Sequence, residues 1–194
     1  GRKDYFEAMK ISLGALEVLA DRYAELAEEK EQASDGKDRE RYRLMKDTLR
    51  KVPGEGAENL FEALQAFILI WQTMCLEQTP NPFAFSVGNA DRIFEPYRAK
   101  TDMDREEAAA LFKHLLVFFN VADRSWAISQ NLIVGGKSND GEDLTNLSSY
   151  ALLDAYYDMN LPQPILSVKL HNNTPKELYE SLGRFFFTPG CLTP

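Results

Sequence analysis

The sequence predicts an α/β chain with an all-helical front, and three observations carry that reading. Helical periodicity runs through the first 78 residues with no strand-like segment. After Pro82, short β-branched or aromatic runs alternate with helical stretches. Gly and Pro clusters punctuate the junctions between them. Tyr5, Met9, Leu13, Leu16, Leu19, Tyr23 and Leu26 recur at three- and four-residue spacing, the signature of a long amphipathic helix. Ser34-Asp35-Gly36 breaks it, a more polar helix follows over Asp38–Lys51, and Val52-Pro53-Gly54 stops that one. A third helix, rich in Leu, Ala and Phe, covers about Ala57–Glu77 and ends before Thr79-Pro80-Asn81-Pro82.

Behind this front, Phe83–Val87 reads as a short buried strand closed by Gly88-Asn89. Asp102-Met103-Asp104 caps a helix over Arg105–Asn120, with acidic residues in its first turn where the helix dipole favours them. Gln130–Val134 is a second strand, ended by Gly135-Gly136, and Thr145 or Asn146 caps a helix to about Met159. In the third strand, Ile165–Leu170, Leu166, Val168 and Leu170 alternate with Ser167 and Lys169, as a strand between two environments should. Pro175 stands at the start of a last helix over Lys176–Phe187. Strand and helix alternating three times is the pattern of a parallel or mixed α/β layer, and no fixed repeat points to a solenoid.

Composition excludes several function classes. The chain has 194 residues, 44% of them hydrophobic and 11% aromatic, enough for a real core. A net charge of −8, with no basic stretch interleaved with aromatics, argues against nucleic-acid binding. The most apolar window, Leu60–Leu76, contains Glu62, Gln65 and Gln72 and reads as a buried helix, not a membrane span. Two cysteines, Cys75 and Cys191, are too few for a secreted disulfide framework, and no signal-peptide pattern opens the chain, so a cytoplasmic protein is expected. The chain opens Gly1-Arg2-Lys3 and stops at Thr193-Pro194 just after an apolar run, so it reads as a piece of something longer.

Local motifs for chemistry fail on inspection. Gly136-Lys137-Ser138 follows a strand like the end of a phosphate-binding loop, but position 131 is Asn where that pattern needs Gly, and turn residues follow where a helix should open. Asn139–Asp143 resembles part of a calcium loop, yet Leu147 stands where the bidentate Glu should be. The two histidines cannot build a structural zinc site: His114, among Leu111, Leu115 and Phe118, reads as a core or half-buried residue, and His171 ends a strand, where solvent or a backbone carbonyl satisfies it. Cys75 reads as a small buried hydrophobe. Cys191 sits on a turn with nothing cationic near it in sequence to activate the thiol.

A wider pattern goes further. The run Asn131-Leu-Ile-Val-Gly-Gly136, followed by Gly141, Asp143, Thr145-Asn146, Ser149 and Leu152, resembles the glycyl radical enzyme family of the pyruvate formate-lyase and glycerol dehydratase type. Leu161-Pro-Gln-Pro164, Leu166-Ser-Val-Lys-Leu-His171 and Thr174-Pro175 continue it; upstream, Gly56–Gln65, Ser86-Val-Gly88 and Pro96-Tyr97 match in the same order, over roughly residues 53–194. The sequence departs at Asn89, where an Arg usually follows the Gly, which favours a dehydratase-like or uncharacterised branch over pyruvate formate-lyase itself.

The resemblance implies an α/β barrel of ten strands surrounded by helices. Residues 1–78 would be its helical front and residues 79–194 its first strands and helices, a partial barrel within one domain. In that family a backbone glycyl radical passes to a cysteine, and the thiyl attacks a small-molecule substrate, breaking a C–C or C–O bond. The radical glycine motif, of the form Arg-Val-x-Gly-Tyr, has no counterpart in this sequence, and Cys191 falls too early to be the thiyl cysteine. No catalytic residue or metal ligand is therefore expected here, and no bound cofactor. The resemblance also implies a radical-SAM activating enzyme as partner and a homodimer, and it gives two substrate-lining candidates: Ser86, contributing a hydroxyl, and Trp126, an aromatic wall. A second reading stays open, in which the chain is a non-catalytic domain or degenerate homologue that acts by binding a partner.

Overall fold

The computed structural model describes residues 1–77, 86–122 and 130–194. They form two compact units, Gly1–Thr73 and Met74–Pro194. The first is helical: α1 (Arg2–Gln32), α2 (Gly36–Lys51) and most of α3 (Leu60–Glu77). The stripe of large apolar residues on α1 makes its seam only in part: Leu19, half-buried, packs against it, whereas Tyr5, Met9, Leu13, Tyr23 and Leu26 are all exposed. Ala20, Ala24 and Ala27 are buried instead, and Ala20 and Ala24 pack with Leu49 of α2 and Leu69 of α3. Methyl-sized side chains let helix axes approach closely, so the small residues form most of the contact and most of the large ones stand outside it. The α1–α2 hairpin is clamped by Glu31, only 8% exposed, which accepts from Arg43 at 3.0 Å and Lys46 at 2.7 Å. Asn59 caps α3 by accepting the Glu62 N–H at 2.9 Å.

The second unit is built on a three-stranded sheet in the order β1 (Gly88–Asn89), β2 (Asn131–Gly135), β3 (Ile165–Lys169), parallel throughout. The crossovers are helical, as parallel pairing requires: α4 (Ala90–Lys100) and α5 (Arg105–Ala122) join β1 to β2, α6 (Leu147–Met159) joins β2 to β3, and α7 (Lys176–Phe187) follows. Leu132, Val134 and Leu166 point to one face and are almost wholly buried. They share a core with Phe94 of α4, Phe112, Leu115, Leu116 and Phe119 of α5, Leu152 and Leu153 of α6, and Leu178 and Phe185 of α7.

Several expectations shift. The strand expected over Phe83–Val87 falls largely outside the described residues, and the observed β1 is the Gly88-Asn89 pair expected to close it. The helix α4 follows at once despite Pro96 within it, a helix the sequence did not announce. Of the two candidate caps for α6, Asn146 serves, accepting the Ser149 N–H at 3.1 Å, while Thr145 turns back to Asp143. His114 is exposed, not in the core. Among the described residues no helix is long and apolar enough to cross a membrane.

Candidate functional site

Two features of the second unit converge on the sheet face that no helix of this unit covers among the described residues and on the carboxyl ends of the parallel strands, where open α/β sheets bind ligands. The first is the face itself. Register places Asn89 beside Ile133, Ser167 beside Ile133, and Lys169 beside Gly135. Asn89, Asn131, Ile133, Ile165, Ser167 and Lys169 thus stand opposite the buried Leu132–Val134 side, and each is half-buried or exposed. Asn131 donates its Nδ2 to Ser167 Oγ at 2.9 Å, and its Oδ1 is buried without a hydrogen-bond partner among the described residues. Lys169 reaches across β2 to Asn89 Oδ1, at 3.5 Å.

The second feature is the scaffold that fixes the turn after β2. Asp91 and Glu95 lie one turn apart on α4 and face the first turn of α6. Asp91, fully buried, accepts from the Gly135 amide at 2.6 Å, from Ser149 Oγ at 2.7 Å and from the Arg92 amide at 2.7 Å. Glu95 accepts from the Ser148 hydroxyl at 2.7 Å and its amide at 3.0 Å, and from the Arg98 guanidinium. Glu95 thus satisfies one free amide of the α6 N-terminus, Asp91 a hydroxyl, and both carboxylates lie where the helix dipole favours negative charge. The two acids differ. Burial pushes the Asp91 carboxyl above the usual range, outweighing the donors from Ser149 and Gly135. At Glu95 burial acts in the same sense, but Arg98 and Ser148 outweigh it and the carboxyl lies below its ordinary value.

Gly135 and Gly136 have φ of 70° and 98°, the left-handed region. A Cβ on Gly135 would stand 3.0 Å from the Lys169 carbonyl oxygen, and one on Gly136 would stand 3.3 Å from Lys169 Cβ and Cδ. The glycines therefore both turn the chain and leave the space in which the Lys169 stem lies. Beyond them the chain folds back, Lys137 bridging Asp143. Asp143 accepts from the Thr145 amide at 3.0 Å and lies 2.8 Å from His171 Nε2. His171 Nδ1 accepts the Asn173 N–H at 3.3 Å, so the proton sits on Nε2 and points at Asp143. His171 is thus a tie between the loops after β2 and β3, satisfied by a carboxylate where solvent or a carbonyl was expected.

Of the two substrate-lining candidates, Ser86 is described and Trp126 lies outside the described residues. Ser86 is exposed, just before β1, and its Oγ accepts the Asn131 N–H at 3.1 Å, extending the β1–β2 pairing by a side chain. Among the described residues its own proton has no acceptor. The Asp91–Ser149, Glu95–Ser148 and Asp143–His171 pairs were not legible in the sequence. The one-turn spacing of Asp91 and Glu95 and the Ser148-Ser149 doublet behind Asn146 are visible there, but their partnership spans more than fifty residues.

Comparison with known proteins agrees with this geometry. The chain is 28% identical to trans-4-hydroxy-L-proline dehydratase of Clostridioides difficile over 91% of its length and 24% of that protein's. It is 25% identical to (2S)-3-sulfopropanediol dehydratase of Klebsiella oxytoca, covering 91% of this chain and 23% of that one. Among solved structures, the glycerol-bound B12-independent glycerol dehydratase of Clostridium butyricum superposes with a TM-score of 0.81 at 29% identity, covering 87% of this chain and 23% of that one. A glycyl radical enzyme of Archaeoglobus fulgidus does so at 0.80 and 27%, covering 88% and 24%. The chain spans about a quarter of the length of these relatives. The family model for pyruvate formate lyase-like proteins matches residues 1–194, so the chain belongs to that family and has the fold of a partial glycyl radical enzyme barrel.

Proposed function

We propose that this segment is the helical front and first strands of a barrel that, in the whole protein, performs radical C–O or C–C cleavage on a small polar molecule. The match of the family along the entire chain carries this reading. The relatives that are dehydratases and sulfite-lyases favour cleavage of a C–O or C–S bond over acetyl transfer, as does Asn89 in place of the usual Arg. The radical glycine and the thiyl cysteine come from the rest of the protein, the radical being installed by a radical-SAM activating enzyme in the cytoplasm of an anaerobic cell. This chain's residues bind and orient. The Ser86 hydroxyl donates to the substrate while Asn131 fixes its oxygen, Trp126 is an aromatic wall, and the assembled enzyme is a homodimer. The acids of α4 act only through the backbone they hold.

Anaerobic incubation of the full-length protein with its activating enzyme, S-adenosylmethionine and a reductant tests this. A glycyl doublet in the electron paramagnetic resonance spectrum is expected, and the 194-residue chain alone gives neither signal nor turnover. A full-length protein that stays radical-free while a known family member is activated in parallel would establish the partner-binding alternative.

A further inference from the structure

We propose that Lys169 is a specificity residue that binds an anionic oxygen group, a carboxylate or sulfonate, on the substrate. The inference rests on reading the helix-free sheet face as the substrate-facing one.

Four observations place the charge there. Lys169 ends β3 on the face shared with Asn131 and Ser167, away from the helices. Its stem lies in the space left by Gly136, and its ammonium reaches over β2 to β1, two strand spacings or roughly 10 Å away. A flexible lysine spreads over many rotamers unless packing confines it, so the glycine gap holds this one across the sheet. Among the described residues the ammonium meets only Asn89 Oδ1 at its far end, a neutral amide at the long limit of a hydrogen bond. No carboxylate among the described residues pairs with it, although the second unit pairs Arg98, Arg105, Lys113 and Arg184 with acids. The other groups on the face, the amides of Asn89 and Asn131 and the Ser167 hydroxyl, are neutral and bring no competing charge. An ammonium with two free donors among neutral polar groups, on a surface that a closed barrel would shield from water, calls for an anion, and a neutral diol would leave it unpaired.

Calorimetric titration of the full-length, unactivated protein tests this, with glycolate and hydroxymethanesulfonate as anionic probes and ethane-1,2-diol as the neutral one. Wild type is expected to bind the anions in preference to the diol. Lys169→Met should weaken anion binding about ten- to a hundredfold, the loss of one charged hydrogen bond, and leave diol binding unchanged. Lys169→Arg should stay within a few-fold of wild type. Anion binding unchanged in Lys169→Met, or no preference for anions in wild type, overturns the assignment. So does a Lys169→Met protein that loses stability but no anion affinity, which would show the lysine pairing with a carboxylate of the protein itself. Because no radical is needed, the titration reads Lys169 independently of the activation test.

Discussion

Asp91 is the residue on which the geometry of the second unit turns. One carboxylate ends β2 through the Gly135 amide, opens α6 through Ser149 and caps its own helix through Arg92. Removing it strands a buried amide and a buried hydroxyl that have no water to turn to. Asp91→Ala is expected to cost about 2–4 kcal/mol in urea unfolding, and Ser149→Ala about 1–2 kcal/mol, because the first loses three bonds to the carboxylate and the second loses one of these plus the Asn146 N–H that its Oγ accepts. A cost for Asp91→Ala no larger than for Ser149→Ala would show that the carboxylate is not the hub. None of this partnership is visible from the sequence, in which Asp91 is one acid among thirty. Gly135-Gly136 was legible as a turn because its chemistry is local. The use of the gap by Lys169 was not, because that side chain arrives from another strand.

At the scale of elements, the helical front and the strand–helix alternation were legible, and the misreadings share one cause. The spacing of Tyr5, Met9 and Leu13 states only that α1 has an apolar stripe, and its contact on α2 is made by the alanines one face away. Periodicity reports hydrophobicity, whereas close helix packing selects for size. The short β1 and the α4 behind it went unannounced because a two-residue strand has no period, and Pro96 argued against a helix that tertiary packing sustains. The β2 turn permits a direct test of what its glycines do. Gly135→Ala meets a backbone oxygen at 3.0 Å as well as an unfavourable φ, and backbone cannot move aside as a side chain can. Gly136→Ala meets only the Lys169 stem. Both should destabilise, Gly135→Ala by about 3 kcal/mol and Gly136→Ala by about 1–2 kcal/mol in urea unfolding. Equal costs would mean that φ alone decides, and the reversed order would mean that the Lys169 stem is the less yielding neighbour.

Across the whole chain, stability against acid follows from how its carboxylates are held. Burial raises Asp154, but Arg105 and Arg184 outweigh it and hold the carboxyl below its ordinary range. Glu95 beside Arg98, and Glu62 beside the Glu58 amide and Lys51, end on the same side for the same reason. A carboxylate depressed by folding binds fewer protons in the native state than in the unfolded chain. Its contribution is therefore complete above the unfolded value near pH 4 and is lost as pH falls through the folded one. Asp91 runs the other way: raised by burial, its share is greatest in acid and lost as pH rises through its folded value, so it partly offsets the others. Four depressed carboxylates, these three and Glu31 between Arg43 and Lys46, each in a guanidinium or ammonium pair, outweigh one raised one. The urea midpoint should hold from pH 7 to about pH 5 and fall below about pH 4. Asp154→Asn isolates the effect. It should cost about 2 kcal/mol at pH 7, where it takes the charge from Arg105 and Arg184, and the difference from wild type should shrink as pH falls below about 4 and through the depressed folded value of Asp154. A difference between the two proteins that does not shrink at any pH below about 4 would mean that Asp154 acts by packing, and that the acid sensitivity of the fold resides elsewhere.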